Sequence, residues 1–193
     1  AVGVEDDALG GVGAPVRSHI ASDNVQGGKM AADALAKAIG EKGSVIVLEG
    51  TAGTSAARDR KKGFTAGIAA SPNIKVVASQ PADFDRTKGL DVATNLLQAH
   101  PDAVGIFAAN DEMALGAVQA LGDKAGKSVF VVGFDGTDDG KAAIKAGTMA
   151  ASVAQQPENL GKAAVDAAVK LAQGQTVEKT VAVPVVVLTK DTL

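Results

Sequence analysis

The chain has 193 residues, 46% apolar and 21% charged, with a formal charge of −3; it can fill a sizeable core and offers no basic surface to nucleic acid. It has no cysteine and two histidines in separate segments, which excludes disulfides, thiolate zinc sites and cysteine nucleophiles. Five Phe and no Trp or Tyr leave the core to Ala, Val, Ile and Leu, the composition of buried parallel strands under alanine-faced helices.

In chain order, residues 1–4 read as the end of a strand, and an acidic, glycine-rich loop follows through Gly13. From Asn24 onward, short Val/Ile-rich runs alternate with Ala/Leu/Lys segments of helical period, the mark of repeated βαβ units. The spacing predicts helices over 24–39, 55–70, 85–100, 111–121, 137–146 and 157–173, and strands over 44–48, 74–78, 104–108, 129–134 and 149–154. Asp85, Asn110 and Thr137 stand where caps belong, Pro157 suits a first helical turn, and Gly40, Gly122, Gly147 and Gly174 follow helices. The apolar run 181–188 is broken by Pro184, which fits an edge strand or a crossing between two lobes. The class is α/β with a doubly wound parallel sheet. No apolar stretch reaches the length of a membrane span, and no leader pattern precedes the first strand, which leaves a cytoplasmic or an already processed chain.

Three strand ends carry polar clusters: Glu49-Gly50-Thr51, Asn110-Asp111-Glu112 and Asp135-Gly136. Ligands of open α/β sheets bind at that rim, and acids and amides suit a neutral polar molecule. The loop 50–57 occupies the place of a dinucleotide fingerprint but lacks its glycine spacing, and the next strand ends in Ser79-Gln80 where an acid would hold a ribose. No nucleotide or other cofactor is expected. Arg58 and Arg60 fall in the first turns of a helix, against its dipole, and as isolated residues read as solvated surface arginines. Phe84 reads equally as core or as a ring for the apolar face of a sugar. Asp111 and Glu112 read as charges serving a helix N-terminus, not as paired catalytic acids. His19 and His100 have no metal-ligand spacing. Without a nucleophile–base pair, metal cluster or cofactor loop, an enzyme is not expected.

The segments Ser18-His19-Ile20-Ala21-Ser22-Asp23-Asn24, Gly53-Thr54-Ser55-Ala56-Ala57-Arg58, Ala78-Ser79-Gln80-Pro81-Ala82-Asp83-Phe84-Asp85-Arg86, Asn110-Asp111-Glu112-Met113-Ala114-Leu115-Gly116-Ala117 and Val132-Gly133-Phe134-Asp135-Gly136-Thr137 resemble those of the periplasmic D-ribose-binding proteins. The resemblance runs from about Val16 to the C-terminus. It implies the type I periplasmic-binding fold, two α/β lobes that close on a monosaccharide, D-ribose or a similar sugar, for delivery to the permease of an ABC importer. It also implies a periplasmic location. By resemblance the sugar-contacting residues are Arg60, Phe84, Asn110 and Asp135, with Gln155 at the hinge. The chemistry agrees: Asp135 accepts from hydroxyls, Arg60 and Asn110 donate, and Phe84 covers a carbon face.

Two departures accompany it. Relatives carry an Asp-Arg pair before the glycine-rich loop, whereas this chain reads Glu5-Asp6-Asp7-Ala8; Asp6 and Asp7 are additional candidates for the acid, and the arginine is missing. The family also begins with further chain that holds most of the first lobe. Its division assigns residues 1–22 and 156–184 to that lobe, 23–155 to an essentially complete second lobe, and 185–193 to a return strand. The expectation is a truncated sugar-binding component with impaired binding, prone to self-association through the apolar surface of its orphan segments. The alternative is the effector domain of a lactose-repressor-type transcription regulator, which shares the fold.

Overall fold

The computed structural model describes residues 2–4 and 16–193. Five helices begin where a side chain accepts from an otherwise free backbone N–H. Asp23 caps α1 (Asn24–Ala38), Thr54 caps α2 (Ser55–Ile68), Asp85 caps α3 (Arg86–Ala99), Asn110 caps α4 (Asp111–Leu121) and Thr137 caps α5 (Asp138–Ala146). Pro157 opens α6 (Pro157–Ala172). The strands are β1 (Val2–Val4), β2 (Ser18–Ser22), β3 (Gly43–Glu49), β4 (Ile74–Pro81), β5 (Ala103–Ala108), β6 (Phe130–Asp135), β7 (Ala151–Ala154), β8 (Thr180–Val183) and β9 (Val186–Leu188). Each expected helix and strand is present, with ends moved by at most three residues.

The strands form two sheets. A six-stranded sheet runs β4-β3-β5-β6-β7-β9, parallel except where β9 lies antiparallel to β7. A three-stranded parallel sheet runs β1-β2-β8. Pro184 and Val185 separate β8 from β9, so the broken apolar run passes from one sheet to the other. β3, β5 and β6 are buried at consecutive positions, hence on both faces, as parallel strands between helical layers must be. β4 is an edge strand, and its polar, exposed end Ser79-Gln80-Pro81 runs beyond the expected stop because an edge tolerates those residues. β2 was not foreseen. Its inward positions are Ser18, Ile20 and Ser22, so its alternation is carried mostly by buried serines and gives no hydrophobic signal.

The main core fills the six-stranded sheet and its helices, with the rings of Phe64 and Phe107 stacked at 4.3 Å. α1 and α2 cross at glycines: a Cβ on Gly28 would overlap the Arg60 carbonyl oxygen, and one on Gly63 that of Val25. This backbone contact fixes α2, and with it Arg60, against α1. A smaller cluster of Ile20, Leu160, Ala167 and Val183 joins α6 to the three-stranded sheet, while Val165 and Val169 of α6 are 62% and 49% exposed. Among the described residues no helix is long and apolar enough to cross a membrane. Asp6 and Asp7 lie outside the described residues.

Candidate functional site

The carboxyl ends of β3, β4, β5 and β6 and the segment after β7 bring Arg60, Phe84, Asn110, Asp135 and Gln155 together. Asp135 is the last residue of β6 and has φ 112°, a backbone region unfavourable for a residue with a Cβ. Arg60 Nη1 donates to its Oδ1 at 3.1 Å, and Gln155 Nε2 to the same oxygen at 2.7 Å. Oδ2 accepts no hydrogen bond among the described residues, and the side chain is 26% exposed.

Arg60 corrects the expectation of a solvated arginine: it is 4% exposed. Its Nε donates to Asn24 Oδ1 at 2.8 Å and its Nη1 also to the Ala109 carbonyl at 2.8 Å. The guanidinium lies 3.8 Å from the centre of the Phe134 ring and 5.8 Å from that of Phe84, distances at which a cation gains from an aromatic face. Burial is therefore compensated by an acid, an amide, a carbonyl and a ring. Arg58, two residues earlier, is exposed and pairs with Asp59.

Phe84 sits in a turn where Asp83 and Phe84 have φ of 53° and 59°, each costing about 1–3 kcal/mol unless its surroundings enforce it. Here Asn110 Nδ2 holds the Phe84 carbonyl at 3.1 Å, Lys88 Nζ pairs with Asp83 at 2.8 Å, and Asp85 N returns to the Ala82 carbonyl. The ring rests on Gly50, where a Cβ would overlap it. Asn110 spends its Oδ1 on the Met113 N–H, so its remaining donor capacity is one N–H. Gln155 completes the arrangement, because Ser22 Oγ donates to its Oε1 at 2.6 Å. A chain of hydrogen bonds thus runs from the end of β2 through Gln155 and Asp135 to Arg60 and Asn24.

Burial raises the proton affinity of the Asp135 carboxyl above the ordinary aspartate value, against the pull of Arg60 and of the Gln155 hydrogen bond. A carboxyl bound more tightly by protons when folded supports the fold below the ordinary aspartate range, and loses that contribution as pH rises through its raised value. Among the described residues the donors to Asp135 are Arg60 and Gln155, both on Oδ1, and a molecule carrying hydroxyls can supply more.

The other polar clusters of the rim do not join it. Glu49 accepts from Lys61 Nζ at 2.7 Å and from Ser79 Oγ at 2.5 Å. Glu112 pairs with Arg86 through two hydrogen bonds of 2.8 and 2.9 Å, and Arg86 also reaches Asp139. Asp111 is fully buried and is bound by Thr137 and Ser152. The pattern of residue types missed Asn24, Ser22 and Gly50: the first read only as a helix start, the second lies on the unforeseen β2, and the third as part of a turn. No cluster of acids and histidines fit for a metal ion occurs among the described residues. A cavity of about 490 Å³, lined in part by Leu97, Gln98, Asp102 and Lys124, opens at the amino end of β5, the opposite end of the sheet.

Residues 4–176 match the sequence pattern of the periplasmic binding protein domain. The chain is 55% identical over 175 residues to the ribose import binding protein RbsB of Haemophilus influenzae, covering 91% of this chain and 59% of that protein. It is 57% identical over 164 residues to the protein of that name from Escherichia coli, covering 84% and 55% respectively. Among solved structures, a periplasmic solute binding protein of an ABC transporter from Actinobacillus succinogenes with bound D-allose superposes with a TM-score of 0.88 at 38% identity. That match covers 96% of this chain and 65% of the other. The chain thus spans somewhat over half the length of the curated relatives it matches, and all three are described as binding proteins.

Proposed function

The chain belongs to the periplasmic binding protein domain family, and from that premise we propose that it is the sugar-binding component of a ribose-type ABC importer, working in the periplasm and taking D-ribose or a similar monosaccharide. One observation carries this reading. Arg60 and Gln155 converge on Oδ1 of Asp135, whose side chain is 26% exposed, and the Phe84 ring and Asn110 stand at the same strand ends. A pyranose offers hydroxyls to the carboxylate, oxygens to the donors and an apolar face to the ring. The importer reading is favoured over the repressor alternative because the relatives compared above are import and solute-binding proteins.

On this reading residues 23–155 with the return strand 185–193 form one jaw of a sugar cleft, and β1, β2, α6 and β8 belong to the other. Ser22 and Gln155 stand where the two meet, and their hydrogen bond ties the crossing to Asp135. Closure favours the state in which the ligand touches both jaws. The chain spans 59% and 55% of the two relatives' lengths, so titrated alone it is expected to bind at about millimolar, against about micromolar for a full cleft. Calorimetric titration of D-ribose is expected to give saturable heat in that range; none up to the solubility of the sugar would remove the claim that this chain binds it.

The exposed Val165 and Val169 give α6 an apolar face, and on this reading that face supports self-association of the 193-residue chain. Sedimentation velocity is expected to show a coefficient that rises with protein concentration, and a constant value contradicts it.

A further inference from the structure

Asp111 is 0% exposed, yet the cap of α4 is supplied by its neighbour Asn110. Although it sits in the first turn of α4, where its charge is favoured, its oxygens also reach other elements. Oδ1 accepts from Ser152 Oγ of β7 at 2.7 Å, and Oδ2 accepts from the Thr137 N–H at 2.8 Å and from Thr137 Oγ1 at 3.1 Å. Ser152 Oγ in turn accepts from the Gly136 N–H at 3.1 Å. Space is kept for this carboxylate on two sides, since a Cβ on Gly133 or on Gly140 would overlap it. Gly133, Thr137, Gly140 and Ser152 thus converge on one buried acid.

The segment held this way is Asp135-Gly136-Thr137, in which Asp135 has φ 112° and Gly136 φ 70°. A residue with a Cβ stays in such a region only when its surroundings over-determine it. We infer that Asp111 is a positioning residue for the sugar site: by fixing Gly136 and Thr137 it holds the strained backbone that aims the Asp135 carboxylate at Arg60 and Gln155. The inference rests on the sugar-binding reading for its function and on geometry for its existence. Asp111 also places a second acid behind Asp135. Among the described residues the charged groups acting on Asp135 are Arg60 from α2 and Asp111 from α4, while Gln155 after β7 donates to it and Asn24 of α1 and Ser22 of β2 are the uncharged partners of Arg60 and Gln155. Removal of the Asp111 charge makes Asp135 easier to ionise.

The test compares the isotope-labelled full chain with Asp111→Asn and Ser152→Ala by NMR. In Asp111→Asn the Asp135 carboxyl carbon is expected to titrate at lower pH than in the unmodified chain, and the side-chain amide signals of Gln155 to move. Hydrogen exchange at Gly136 and Thr137 is expected to quicken at least tenfold while Ile106 and Val131 keep their rates. An Asp135 titration and Gln155 signals identical to the unmodified chain, with exchange raised evenly across the sheet, would overturn the inference and leave Asp111 a purely structural acid. Should Asp111→Asn fail to fold, Ser152→Ala decides: faster Gly136 exchange with displaced Gln155 signals supports the inference, and unchanged Gln155 signals overturn it. D-ribose titrations separate the two layers. Affinity in Asp111→Asn is expected to drop about tenfold, and affinity within twofold of the unmodified chain overturns the positioning role while leaving sugar binding intact. An unmodified chain that takes no sugar yet shows the Asp111-dependent titration overturns the sugar reading and leaves the positioning role standing.

Discussion

Replacing Arg60 by Ala is expected to destabilise the fold by about 3–5 kcal/mol, the range for removing one partner of a buried ion pair. The guanidinium is the donor to the Asn24 amide oxygen, the Ala109 carbonyl and Asp135, and it covers the ring of Phe134. Its loss leaves the buried Asn24 and Ala109 oxygens and the part-buried Asp135 without that donor and opens a void beside the ring. The deficit also carries a pH signature. Without Arg60 the Asp135 carboxyl, already raised by burial, is raised further, so its ionisation opposes folding more strongly. The difference from the unmodified chain is therefore largest above the titration of Asp135 and shrinks as pH falls through it. Urea unfolding followed by circular dichroism at pH 7 and pH 4 measures both features. A loss below about 1 kcal/mol, the range of a surface change, would contradict the burial and pairing of Arg60.

Replacing Asp135 by Ala is expected to lower affinity for D-ribose by about 100-fold or more. The carboxylate accepts hydrogen bonds that, to a charged group, contribute about 1.5–3 kcal/mol each, and about 1.4 kcal/mol is tenfold. Its removal also frees Arg60 and Gln155 from the acceptor they share, leaving donors to be desolvated by an incoming sugar with nothing in return. At the affinity of about millimolar expected for this chain, the expected result is the disappearance of saturable heat. Lys62→Ala, on the exposed side of α2, is expected to change affinity less than twofold. Equal affinities in the two variants, with both folded by circular dichroism, would remove Asp135 from the site.

Much of this architecture is legible in local sequence because its causes are local. A cap residue ahead of a helical period, a Val/Ile run between helices and a glycine after four of the six helices act within a few residues, and the structure places α1 to α6 and β3 to β7 where those signals stand. β2 escaped because two of its three inward residues are serines. The strand ends likewise marked the rim, and Asp135 and Asn110 lie on it. The burial of Arg60 was not legible: its partners lie 36, 49 and 75 residues away, on α1, after β5 and at the end of β6. Asp111 behaves the same way, with partners 26 and 41 residues distant. The positive φ of Asp83 and Phe84 has no residue-type signature, since neither is glycine. Grouping Arg60, Phe84 and Gln155 with those two came from the resemblance to a family, and the structure brings the five side chains to one rim.

The most direct measurement is a nitrogen–proton correlation spectrum of the chain recorded as D-ribose is added. Saturable shifts are expected only at the carboxyl ends of the strands: the side-chain amides of Asn110 and Gln155, the Nε–H of Arg60, and the backbone of Phe84, Asp135 and Gly136. No shifts at all, or shifts that gather around Leu97, Asp102 and Lys124 at the opposite end of the sheet, would contradict that expectation.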